Sequence, residues 1–134
     1  MSNVRIVLIW VLSFFFIQEC IAGIDPVAWS VEPATGFPSV ALGGTSSIIY
    51  TLSNRLPVTA TINTSFVKSN DSFYIQDNCN NFPLFPSTSC TITIMYFPQV
   101  PGKAFIQLSY GYHNNRISLP AAAVTTTNVT PSTN

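Results

Sequence analysis

The chain has 134 residues, 47% of them apolar and only 7% charged, and its five basic side chains are cancelled by five acidic ones. That length suits one domain, and the charged fraction lies far below the roughly 25% usual in soluble domains. Beyond the N-terminal segment the cations are Arg55, Lys68, Lys103 and Arg116, too few and too scattered to track nucleic-acid phosphates or to form a polybasic lipid-binding tract.

The first five residues carry one positive charge, and residues 6–17 are apolar apart from Ser13. Gln18 and Glu19 then turn polar, and Cys20-Ile21-Ala22 places small residues where a signal peptidase reads. This is the layout of a secretory signal peptide over residues 1–22, with a mature chain starting at Gly23. The alternative is an uncleaved membrane anchor, and it has a length problem. A dozen residues at about 1.5 Å rise span about 18 Å, against a hydrocarbon core of roughly 30 Å. Lipidation of Cys20 is disfavoured by Glu19, because that modification needs a small residue before the cysteine. The expected destination is therefore the periplasm, the cell surface or the medium, with no membrane span once the signal is cleaved. The mature chain would keep Cys79 and Cys90, and two cysteines flanking a short polar loop in an oxidising compartment read as a disulfide.

Ten prolines, six glycines and many Ser, Thr and Asn clusters punctuate the rest. Helical periodicity is absent, and breaks every eight to twelve residues or so are the spacing of a β-sandwich. The first expected strand, 27–31, carries Trp29 and ends before Glu32-Pro33. The second, 46–52, sets Ile48, Tyr50 and Leu52 on one face. The third, 58–66, alternates Val58, Ala60 and Ile62 with threonines, and Phe73-Tyr74-Ile75 is a short fourth. Residues 90–96 alternate most clearly, with Cys90, Ile92, Ile94 and Tyr96 opposite Thr91 and Thr93. Residues 104–112 put Ile106, Leu108, Tyr110 and Tyr112 on one face, His113-Asn114-Asn115 forms a hairpin tip, and 116–119 returns. The expected core comprises Trp29, Ile48, Tyr50, Leu52, Ile92, Ile94, Tyr96, Ile106 and Leu108. About seven half-apolar strands must bury those faces against one another, so the expected fold is an all-β, immunoglobulin-like antiparallel sandwich over residues 23–122. Residues 123–134, rich in Thr, Ser and Asn, read as a disordered tail.

Three segments carry a resemblance. Tyr50-Thr51-Leu52-Ser53-Asn54 resembles the second-strand motif of the ASH (abnormal spindle, SPD-2, hydin) domains, major-sperm-protein-like members of the immunoglobulin-like sandwiches. Ser89-Cys90-Thr91-Ile92-Thr93-Ile94 leading to Pro98 and Gly102 resembles that group's alternating strand, proline and glycine turn. Phe73-Tyr74-Ile75 followed by Cys79 is similar to the bacterial exported branch, where a cysteine after the short strand pairs with one opening the next. The resemblance covers about residues 27–119. It implies a scaffold or interaction domain, of a kind that usually recurs as repeated modules, whereas this chain carries one copy.

Catalytic chemistry has little to stand on. His113 is the single histidine, so a Ser-His-Asp hydrolase would rest on it entirely, and its Asn neighbours suit a turn. Asp71 and Asp77 with Asn70, Asn78, Asn80 and Asn81 could form a weak calcium site, but asparagines also fill turns for local reasons. No zinc set exists around Cys79 and Cys90, and no metal or cofactor is expected. Asn63, Asn70 and Asn128 begin N-glycosylation motifs, which matter only in a eukaryotic host and are set aside by the bacterial resemblance. The leading expectation is a non-enzymatic exported interaction or scaffold domain that binds an unidentified protein through end loops or a free strand edge. The runner-up is a periplasmic pilus-type chaperone or accessory subunit, which would need a basic pair to hold a partner's carboxyl terminus. Tyr112, His113 and Arg116, concentrated at one hairpin tip, are the expected partner-binding residues.

Overall fold

In the computed structural model, which describes residues 26–128, the chain is all-β, with ten strands and no helix among those residues. They are β1 (Val27–Glu32), β2 (Val40–Ala41), β3 (Ser46–Asn54), β4 (Ala60–Lys68), β5 (Phe73–Asp77), β6 (Phe82–Leu84), β7 (Ser89–Tyr96), β8 (Gly102–Tyr112), β9 (Asn115–Ser118) and β10 (Ala122–Thr127). One sheet has the order β1-β3-β7-β5, and the other runs β2-β10-β8-β4-β6 with β9 also on β8. This is the expected immunoglobulin-like sandwich. The expected export signal lies outside the described residues.

Period-two patterning places the core. Ile48, Tyr50 and Leu52 of β3 lie opposite Ile94, Ile92 and Cys90 of β7, all on the inner face. Ile62 of β4 with Ile106, Leu108 and Tyr110 of β8 supplies the facing layer. The Cys79–Cys90 disulfide forms, with the Cα atoms 5.3 Å apart. It ties the connection between β5 in one sheet and β6 in the other to the start of β7.

Strand β9 and strand β10 are two halves of one strand split by a bulge. Between the Ser118–Ser109 pair and the Ala122–Ile106 pair the chain advances four residues against three on β8. Pro120, which has no N–H for the ladder, sits in this break. The ladder resumes because Leu119 N–H donates to Leu108 C=O, while the Gln107 side-chain amide donates to the Leu119 carbonyl.

Several expectations need correction. Residues 122–127 are strand β10, paired with β8 and with Val124 and Thr126 buried, so the disordered reading of 123–127 is wrong; residues 129–134 lie outside the described part. The Thr-rich composition hid a strand whose polar residue faces inward. Trp29 is 39% exposed rather than core, because β1 is an edge strand whose inner face is only partly covered. Val58 precedes β4 and is 54% exposed, since the Asn54 side chain captures its carbonyl and holds it in the loop. The hairpin tip has two residues, His113 and Asn114, with Asn115 already paired to Tyr112. His113, not an asparagine, takes the positive φ there. The short strands β2 and β6 lie in stretches whose composition predicts loop.

Candidate functional site

The edges of the two sheets come together along one side of the sandwich. At the head of β1, Arg55 N–H donates to Pro26 C=O, while the backbone of Asn54 bonds to Thr88 and Ser87 on the opposite side. By the two-residue alternation of an antiparallel ladder, the backbone groups of Val27, Trp29 and Val31 therefore point away from β3. The Val27 carbonyl is taken by the Tyr110 hydroxyl, which reaches across from the other sheet at 3.1 Å. No strand lies beside those of Trp29 and Val31 among the described residues.

Across the gap the same reasoning applies to β9 and β10. Leu119 N–H bonds to β8 and Leu42 N–H bonds to the Thr127 carbonyl from β2, so the backbone groups of Arg116, Ser118 and Ala123 turn outward. Strand β2 covers only the Thr126–Thr127 end of β10.

Between these edges runs a cleft of about 410 Å³, lined by Trp29, Val31 and Tyr50 on one side and Pro120–Ala123 on the other, without a charged side chain. The Trp29 ring leans on Tyr50 with centroids 6.5 Å apart. Burial pushes the Tyr50 phenol above its ordinary range. A second cleft of about 350 Å³ continues toward the hairpin tip, lined by Val27, Tyr112, Arg116 and Ile117 among others.

The expected tip residues are partly brought together. Tyr112 and His113 lie ring to ring at 4.2 Å, with Tyr112 half-buried against the core. Arg116 borders the second cleft but sends its guanidinium to donate to Ser65 Oγ, across Gly111, where a Cβ would sit 3.8 Å from Arg116 Nη1. The tip is thus the upper end of the lateral side rather than an isolated patch. Sequence reasoning missed Val31 and Ala123 as site residues and set Trp29, an aromatic contact candidate, in the core. Their signal was Trp29 beside the Pro-rich break, read as core.

The oxygen-rich loop is internally bonded. Asp77 Oδ1 accepts from the N–H groups of Cys79 and Asn80, and Oδ2 accepts from the Thr64 hydroxyl. Asn80 Oδ1 accepts from Thr64 N–H, and Asn70 Oδ1 from Ser72 N–H. Asp71 pairs instead with Lys68. These oxygens serve as turn acceptors rather than converging on a cation.

No family model matches the chain, and no curated protein matches it in sequence. Among solved structures it is similar to the human ASH/PapD-like domain of CEP192 (PapD-like domain 7), with TM-score 0.56 at 12% identity over 80% of this chain and 87% of that one. It is also similar to a FixG-related protein from Vibrio parahaemolyticus, with TM-score 0.53 at 14% identity over 77% of this chain and 98% of that one. WR4, an MSP family member of C. elegans, aligns over 79% of this chain and all of its own length at TM-score 0.45 and 11% identity. The first two show the fold alone, an immunoglobulin-type β-sandwich like that of the ASH/PapD-like domain.

Proposed function

We propose that this protein is a non-enzymatic, exported interaction domain whose lateral cleft accepts an extended segment of a partner protein. The observation that carries the reading is Trp29, exposed on the inner face of an edge strand, with its outward backbone groups beside no strand among the described residues and facing the outward backbone of Ala123 across an uncharged cleft. Free edges recruit strands through main-chain hydrogen bonds, and pockets beside them select alternate side chains. A partner segment with small or apolar residues at every second position fits such walls. Tyr112 and Arg116 at the upper end would contact its flank, which keeps the tip trio within one binding side. The export signal of residues 1–22 and the Cys79–Cys90 disulfide support a role outside the cytoplasm. The pilus-type chaperone reading would need two cations converging on the cleft, and among the described residues Arg116 alone lines either part of it.

Cross-linked capture from the exporting cell's envelope, with Trp29→Glu, Ala123→Pro and the Tyr112/His113/Arg116 triple-Ala variant beside wild type, tests this. Pro at position 123 removes an outward N–H without touching the β8 ladder. A partner retained by wild type and lost from Ala123→Pro and Trp29→Glu, with melting temperatures within a few degrees, is the expected result. An unchanged partner set in both variants overturns the edge reading, and an unchanged set in the triple variant removes the tip from it.

A further inference from the structure

The side of the sandwich away from the lateral cleft carries a cavity of its own. Strand β5 ends the order of one sheet and β6 that of the other, and the chain crosses between them through residues 78–81. At that crossing lies a pocket of about 570 Å³, within the roughly 300–1,000 Å³ usual for small-ligand sites. Asp77 and Asn78 line it from the end of β5, Asn80 and Phe82 from the crossing and β6, and Ser89 and Thr91 from the start of β7.

Local bonding fixes this frame and decides which groups are left to a ligand. The Cys79–Cys90 disulfide and the Asn78 N–H, which donates to Thr91 C=O, tie the crossing to β7. Asp77 is the one charged residue lining the pocket among the described residues, and its carboxylate already accepts from Cys79 N–H, Asn80 N–H and the Thr64 hydroxyl. Asn80 Oδ1 accepts from Thr64 N–H, which orients the side chain and leaves its Nδ2 to donate. Ser89 Oγ shares a hydrogen bond with Ser53 Oγ. The Asn78 carboxamide and the Thr91 hydroxyl have no hydrogen-bond partner among the described residues.

Phe82 adds an aromatic wall. It lies opposite Ile62 on the ladder and on the same face as the buried Leu84, yet it is 57% exposed, because it stands at the sheet edge where the pocket opens. The chemistry of the lining narrows the ligand. An anion would meet Asp77 with no cation in the lining to offset it, and a metal ion would find the Asp77 oxygens already accepting. A neutral polyhydroxylated ring suits each remaining group. Its apolar C–H face can lie on the Phe82 ring, while its hydroxyls exchange hydrogen bonds with carboxamides and hydroxyls that donate and accept.

We propose that this pocket binds a neutral saccharide, with one sugar ring stacked on Phe82 and its hydroxyls bonded to Asn78, Asn80 Nδ2 and Thr91. The proposal is independent of the partner cleft, which lies along the opposite edges of the two sheets.

Saturation-transfer NMR of the full chain tests it, with maltotriose, cellotriose, laminaritriose and diacetylchitobiose at millimolar concentration and with glucuronic acid and adenosine for comparison. Phe82→Ala and Thr91→Val remove exposed groups from the lining, Phe82→Trp keeps a ring there, and Trp29→Glu alters only the lateral cleft; melting temperatures check each fold. The expected result is transfer to at least one neutral saccharide, weakened about fivefold by Phe82→Ala and kept by Phe82→Trp and Trp29→Glu. Thr91→Val should weaken it as well, and carries the test if Phe82→Ala does not fold. No transfer to any of the four saccharides, or stronger transfer to glucuronic acid or adenosine than to all of them, would overturn the proposal. So would saccharide binding that both lining variants leave unchanged, or that Trp29→Glu alone abolishes.

Discussion

At the scale of single residues, two buried polar side chains on these sheets have opposite consequences. Asn54 satisfies two carbonyls and one N–H that the loops leave without strand partners, whereas the Thr126 hydroxyl is buried with no hydrogen-bond partner. A buried polar atom is costly only when unpaired, so the two should respond oppositely to removal. Asn54→Ala strands the Val58 and Leu84 carbonyls and is expected to destabilise by about 2–4 kcal/mol, roughly 1–3 kcal/mol for each buried unsatisfied group less what relaxation to water recovers. Thr126→Val keeps the branched shape and removes the orphan hydroxyl, and is expected to stabilise by about 1 kcal/mol. Urea melts of both variants check the signs. A destabilising Thr126→Val would mean that the hydroxyl finds a partner in solution.

At the scale of elements, legibility followed periodicity. Strands β3, β7 and β8 alternate over eight or more residues with apolar inner faces, and the sequence reading placed each on its correct face. Strands β2 and β6, of two and three residues, are too short to show a period, and β6 contains Pro83, which reads as a breaker but is tolerated on a sheet edge. Strand β10 alternates inward at Val124 and Thr126, and one threonine at an inner position was enough to make it read as tail. The lateral site was illegible for a related reason. Inner-facing residues of a central strand and of an edge strand look identical in sequence, and only the sheet order decides that Tyr50 is covered while Trp29 is half open. The register itself is open to test on β7. Ile94 is fully buried and Thr93 faces outward, so Ile94→Ala is expected to lose about 2–5 kcal/mol and Thr93→Ala about 0.5 or less. Denaturant midpoints that reversed the order would place the strand one residue out of register.

At the scale of the whole molecule, the disulfide and the export route bear on the same question. A sandwich of about a hundred residues with few charges has a modest core, and it gains from restraint of its unfolded chain. Cys79 and Cys90 are 11 residues apart, a closure worth about 3 kcal/mol in the chain-entropy account. The bond also fastens the only described connection between the β5 and β6 edges to the central region of the first sheet, so its loss loosens the passage from one sheet to the other. Such bonds form and persist chiefly where the compartment is oxidising, so the redox state of the isolated protein bears on where it travelled. If residues 1–22 are removed on export, Cys20 leaves with them and every remaining cysteine is paired. The exported protein should therefore have the intact mass of a chain beginning at Gly23, less the two hydrogens of one disulfide, and should take up no alkylating reagent until reduced. Reduction should then lower the unfolding free energy by about 3 kcal/mol, read from urea melts with and without a phosphine reductant. A mass that retains the first 22 residues would make the segment an anchor rather than a cleaved signal. Free thiols at positions 79 and 90 in the unreduced protein would instead remove the case for an oxidising destination.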